Sequence, residues 1–117
     1  MDLFRRKEFH KGIDIFTRSD TPVIAPADGI VSSIRWDKWS GNVLSIEHGY
    51  GFETIYAHLR KILVKRGWHV KKGDTIALVG STGRSTGPHL HYEVHLNKSP
   101  VNPLRYIKSI LQLAKGR

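Results

Sequence analysis

The chain has 117 residues, 39% of them hydrophobic and 25% charged, which suits one packed globular domain and excludes wholesale disorder, a collagen-like repeat or a second independent core. It contains no cysteine, so a disulfide scaffold, a thiolate nucleophile and a thiolate zinc site are excluded, and any metal must rest on His, Asp or Glu. The formal charge of +9 favours polyanions such as nucleic acid, an acidic cell-envelope polymer or a lipid surface, but the only tight basic clusters are Arg5-Arg6-Lys7, Lys65-Arg66 and Lys71-Lys72, which argues against a dedicated nucleic-acid function.

The first nine residues are basic and are followed by no apolar stretch of signal-peptide length, so no export signal is visible. The expectation is then either a cytoplasmic protein or an excised or mature domain, and a candidate site residue as early as His10 suggests the second, with upstream sequence removed. No apolar run is long enough to span a bilayer. Short segments rich in Val and Ile predict strands over residues 12–16, 22–25, 29–36, 42–48, 52–58, 75–79 and 89–96. Turn signals at Pro26-Ala27-Asp28-Gly29, Ser40-Gly41-Asn42, Gly49-Tyr50-Gly51 and Lys72-Gly73-Asp74, and the loop 80–88, divide them. Seven short strands at this spacing predict an all-β sandwich or barrel. Residues 59–64 read as a helical turn or an irregular connection. The one predicted helix is C-terminal, over 102–115, where Asn102 can cap, Pro103 fits the first helical position, and Leu104, Ile107, Ile110, Leu111 and Ala114 make an apolar stripe for packing.

Seven histidines invite a metal reading, weighed one at a time. His10 and Asp14 are four apart, which on a strand places imidazole and carboxylate on one face while Ile13 and Ile15 point to the other. Chance alone gives about 0.4 such pairs in this chain, so the spacing is weak by itself. His89, His91, Glu93 and His95 share one face of another strand, and Leu90, Tyr92, Val94 and Leu96 form its apolar face. His58 ends a predicted strand and can project into a cleft. His48, beside a Gly-rich turn, reads more readily as a structural hydrogen-bonding residue, and His69 as a surface residue.

Taken together these residues resemble the M23 family of zinc metallopeptidases, the lysostaphin-type or LytM-type peptidoglycan endopeptidases. The resemblance lies in His10-Lys11-Gly12-Ile13-Asp14, Pro26-Ala27-Asp28-Gly29, Tyr56-Ala57-His58-Leu59 and the run Val79-Gly80-Ser81-Thr82-Gly83-Arg84-Ser85-Thr86-Gly87-Pro88-His89-Leu90-His91-Tyr92-Glu93, in matching order and spacing. It implies a single domain over 1–117, part of a larger cell-envelope protein, with the antiparallel groove of the duplicated hybrid motif (a barrel-sandwich hybrid). It also implies hydrolysis of the peptide cross-links of bacterial peptidoglycan, with zinc-activated water as the nucleophile. By position, one Zn2+ falls on His10, Asp14 and His91, and the two catalytic histidines on His58 and His89. Three protein ligands leave a tetrahedral zinc one open position, where the pKa of water drops to about 7 in favourable sites. His58 and His89 would serve as general base and as donors to the developing oxyanion, in either assignment. Glu93 either orients an imidazole ligand from outside or is a surface carboxylate.

The resemblance further implies action on peptidoglycan stem peptides in the bacterial envelope, in the periplasm or outside the cell; the oligomeric state is left open by the sequence, with a monomer as the expectation. The run 80–93 is strongly similar to that of Gram-negative-type members and tilts the expectation towards a D,D-endopeptidase. The competing reading is a non-catalytic LytM-like regulator of another wall hydrolase, although such relatives typically lack metal ligands that this chain keeps. A phosphocarrier domain of the sugar phosphotransferase system also presents two facing histidines on a similar fold, but has no need of Asp14 beside the His89-Leu90-His91 pair.

Overall fold

The computed structural model describes residues 5–8 and 12–105, with side chains from 12 to 104. Ten antiparallel strands are described: β1 (Arg5–Glu8), β2 (Gly12–Phe16), β3 (Pro22–Ile24), β4 (Gly29–Asp37), β5 (Gly41–Gly49), β6 (Phe52–Ile62), β7 (His69–Val70), β8 (Thr75–Val79), β9 (His89–Leu96) and β10 (Ser99–Val101). They form one sheet in the order β1-β2-β9-β6-β5-β4-β7, with β10 added to β9 and β8 joining β6 to β3. The predicted all-β class is the observed one.

Alternation along the central strands decides which face is core. Ile13 and Ile15 of β2, Tyr56 of β6, and Leu90, Tyr92 and Val94 of β9 are all buried on one side. There they meet Leu44 and Ile46 of β5 and Ile76, Ala77 and Val79 of β8 in a single cluster. The period of two leaves the other face of β2, β6 and β9 free for polar groups, and that face forms the floor of a cleft.

All seven predicted strands are present, with ends shifted by a few residues. One expectation is corrected: residues 59–64 do not form a helical turn, because β6 continues to Ile62 by pairing with β8 (Leu59↔Val79, Ile62↔Ala77). Strands β1, β7 and β10 were not expected, since they are short and take their extended form from the neighbours they pair with. Of the predicted C-terminal helix, Asn102 does accept the Leu104 N–H at 3.0 Å through its side chain, and Pro103–Arg105 form a 3-10 turn. Residues 106–115 lie outside the described residues.

Candidate active site

Strand pairing brings the polar residues together. In the β2/β9 register Asp14 stands directly opposite His91, and Phe16 opposite His89. Cross-strand partners on one face are close enough to touch. Accordingly His91 Nδ1 lies 2.8 Å from Asp14 Oδ1, and the His89 ring stacks on Phe16 with centroids 4.9 Å apart. On the other side of β9, the register sets Ala57 of β6 against His91, and this small side chain leaves room above the imidazole.

His58 enters from β6 by a local break. The strand pairs with β9 up to Ala57 and with β8 from Leu59, so His58 sits at the change of neighbour and takes φ +62°, rare for a residue with a side chain. Its N–H donates to Ser40 C=O at 2.8 Å, and its Nδ1 donates to Thr82 C=O at 2.7 Å. His89 is oriented in the same manner, by donation from Nδ1 to Gly87 C=O at 2.9 Å, with Ser85 Oγ 3.1 Å away. These carbonyls fix the tautomer of each ring, so that in the neutral form the proton sits on Nδ1 and Nε2 carries the lone pair. Their centroids are 4.7 Å apart, and His89 Nε2 lies 3.8 Å from Asp14 Oδ1. The cleft they line holds about 760 Å³.

Burial, the foremost influence on both His91 and Glu93, works against charge on each. For His91 it is outweighed by the hydrogen bonds its ring donates to the Asp14 and Glu93 carboxylates, which raise the imidazole to about 9. Hydrogen bonds accepted from His91 (2.7 Å) and His95 (2.8 Å) outweigh it for Glu93, whose carboxyl is held below the usual range. His58 goes the other way, as burial lowers its pKa, opposed by the Thr82 hydrogen bond and aided by the neighbouring imidazoles.

The structure thus gathers Asp14, His58, His89, His91 and Glu93 in one cleft. Glu93 is no isolated surface carboxylate, since it grips the second nitrogen of His91. His10 lies outside the described residues, and among those described no group of three or more potential ligands is spaced to hold a metal. The donor set itself fits zinc: a carboxylate oxygen and an imidazole nitrogen converge, and Glu93 holds the outer nitrogen of that ring, as carboxylates do behind metal-bound histidines. His48 is structural, with Nδ1 donating to Asp28 C=O and Nε2 2.7 Å from the Thr54 hydroxyl, and His69 is exposed. Sequence reasoning missed the carbonyls of Thr82 and Gly87, because any residue type supplies a carbonyl. It also missed Arg84 and Arg35 at the cleft wall, and the Trp39 ring on which Arg84 lies.

A β-sheet cleft in which a carboxylate and three imidazoles converge has the donor set of a metal-dependent hydrolase. The sequence matches Peptidase family M23 over residues 8–103, and the chain belongs to that family. Over 107 residues it is 47% identical to the peptidoglycan DD-endopeptidase ShyB of Vibrio cholerae, which covers 92% of this chain and 24% of that protein. A zinc-containing peptidase from Vibrio cholerae superposes with a TM-score of 0.78 at 44% identity, over 85% of this chain and 33% of that one. The catalytic domain of lysostaphin from Staphylococcus simulans gives a TM-score of 0.78 at 35% identity, over 85% of this chain and 79% of that one. The chain spans 20% to 25% of the length of the curated relatives it matches.

Proposed function

We propose that this chain is the catalytic domain of a zinc-dependent D,D-endopeptidase that hydrolyses the peptide cross-links of bacterial peptidoglycan. The observation that carries this reading is the convergence of Asp14, His91, His89 and His58 from three strands on one open cleft. A relative named as a peptidoglycan DD-endopeptidase and a solved neighbour described as a zinc-containing peptidase support it.

Asp14 and His91, joined by His10, would hold the ion. When bound, zinc supplies a Lewis acid for the scissile carbonyl and lowers the pKa of water. The remaining work falls to the protein's own groups. Adding water across an amide requires one proton to leave the attacking oxygen and one to reach the departing nitrogen. A neutral imidazole Nε2 does the first and the imidazolium so formed does the second. His58 and His89 are built for this, since each has Nδ1 tied to a carbonyl and Nε2 available. Glu93 holds the His91 ring in place. An intact proton-handling pair favours an enzyme over a non-catalytic regulator of another wall hydrolase. The site of action is the cell envelope, on stem peptides, by a monomer.

The test is mass spectrometry of fragments released from purified peptidoglycan sacculi by the zinc-loaded protein, beside a chelated control. Zinc-dependent conversion of cross-linked fragments to monomers is expected, and the new termini name the bond cut. No release despite bound zinc would overturn the endopeptidase reading for this chain.

A further inference from the structure

The charged groups lining the cleft are committed to one another, with one exception. Asp14 and Glu93 face His91, Glu93 also faces His95, and Arg35 pairs with Asp37 at 2.7 Å. Arg84 lines the same cleft, yet among the described residues no carboxylate lies within ion-pair distance of it. Its guanidinium lies instead over the Trp39 ring, 4.6 Å from the centroid, and its N–H donates to Trp39 C=O at 3.0 Å. Trp39 is 55% exposed, although burial is the usual fate of an indole, so the ring works as a platform at the rim.

That platform is tied to the catalytic machinery. The Asp37 carboxylate accepts the N–H groups of Trp39 (2.9 Å) and Ser40 (2.7 Å), which fixes the turn between β4 and β5. Ser40 C=O in turn accepts the His58 N–H, and Thr82, two residues before Arg84, holds His58 Nδ1. A guanidinium seated this way is planar, always charged and shaped for two-point contact with a carboxylate.

We propose that Arg84, seated on Trp39, is a carboxylate-binding subsite that reads the cross-link residue supplying the amine of the scissile amide. This rests on the endopeptidase reading above and deepens it. In a D-alanyl-diaminopimelate cross-link, the carbon that bears the amide nitrogen also bears a free carboxylate, whereas a glycine bridge carries no charge there. Arg84 is the cleft's one cation not already neutralised among the described residues, so it selects the first kind of cross-link.

The experiment uses two soluble cross-linked peptide dimers, identical except that this carboxylate is free in one and a carboxamide in the other. With the zinc-loaded wild type, Arg84→Ala and Arg84→Lys, both turnover and binding by fluorescence anisotropy are measured. Arg84→Ala is expected to raise KM on the free acid about 10- to 100-fold, the range for hydrogen bonds to charged groups, with kcat within about twofold. On the carboxamide it should match the wild type, and Arg84→Lys should recover part of the loss. Equal effects on the two dimers, or none on either, would overturn the subsite while leaving the enzyme intact. Arg84-dependent preference for the free acid in binding, without cleavage of either dimer, would keep the subsite and sink the endopeptidase. Neither binding nor cleavage would sink both.

Discussion

Two histidines on one strand face, His89 and His91, have their ring nitrogens committed in different ways. His91 is held by carboxylates on both sides, Asp14 at 2.8 Å and Glu93 at 2.7 Å, whereas His89 donates to the Gly87 carbonyl and keeps Nε2 available. Under the proposed mechanism, removing the first ring removes a zinc ligand and removing the second removes a proton carrier. His91→Ala should therefore lose both stable zinc binding and turnover, and His89→Ala should lose turnover by about 10²- to 10⁴-fold, the usual worth of a general acid–base, while keeping the metal. Metal content after dialysis, read by elemental analysis, checks the division, and equal loss in the two variants would refute it. His58 carries a separate prediction about pH. Burial lowers its pKa below the ordinary imidazole value of about 6.5, so the ring stays neutral at neutral pH and protonates only on further acidification. A histidine-resolved NMR titration should place the His58 midpoint below that value. A midpoint at or above it would show that the Thr82 hydrogen bond, which acts in the opposite direction, has won.

At the scale of elements, the site depends on a weave of three backbone segments. The turn at 37–41, the loop at 80–88 and the bend in β6 at His58 are joined through Thr82, whose hydroxyl donates to Leu59 C=O at 2.8 Å and accepts the Asn42 N–H at 3.2 Å. Gly41 sits inside this weave with φ +67°, and a Cβ there would overlap the Thr82 hydroxyl. Gly49 has φ +87° with open space around it. Both alanine variants take on left-handed strain, worth about 1–2 kcal/mol, but only Gly41→Ala adds a clash. Gly41→Ala should thus lower the melting temperature more than Gly49→Ala, and it should cut activity of the still-folded protein because Thr82 orients His58. Equal melting shifts with unchanged activity would mean the weave yields without cost. The same contrast explains what was legible in advance. Alternation in 12–16 and 89–96 gave the core face and the polar face, and with them Asp14, His89, His91 and Glu93, because a strand's period of two is written in its residue types. The extension of β6 past His58 was hidden, since the left-handed bend breaks the period and Arg60 and Lys61 face water. Contacts made by the Thr82 and Gly87 carbonyls leave no mark on residue type, and Trp39 meets Arg84 only because the fold closes a gap of 45 positions.

For the molecule as a whole, the charge of +9 and the nearly balanced cleft act at different ranges. Inside the cleft Asp14, Glu93 and Arg35 answer local partners, so little net field is left there beyond Arg84. Over the chain as a whole lysines and arginines outnumber carboxylates by 19 to 10, and a field of this kind draws a polyanion from a distance. The proposed substrate, peptidoglycan, is dense in peptide carboxylates and would offer that target only as an intact sacculus; a soluble dimer carries too few charges to feel a distributed field strongly. Salt separates the two ranges, because the screening length falls from about 10 Å at 0.1 M to about 3 Å at 1 M. Over that interval the zinc-loaded protein should lose about tenfold or more of its initial rate on sacculi, against less than about threefold in kcat/KM on a soluble cross-linked dimer, in keeping with the usual gain from steering. Initial rates of release, followed on both substrates across the same salt series, make the comparison. If the two fall in parallel, the surface charge plays no part in capture and serves solubility alone.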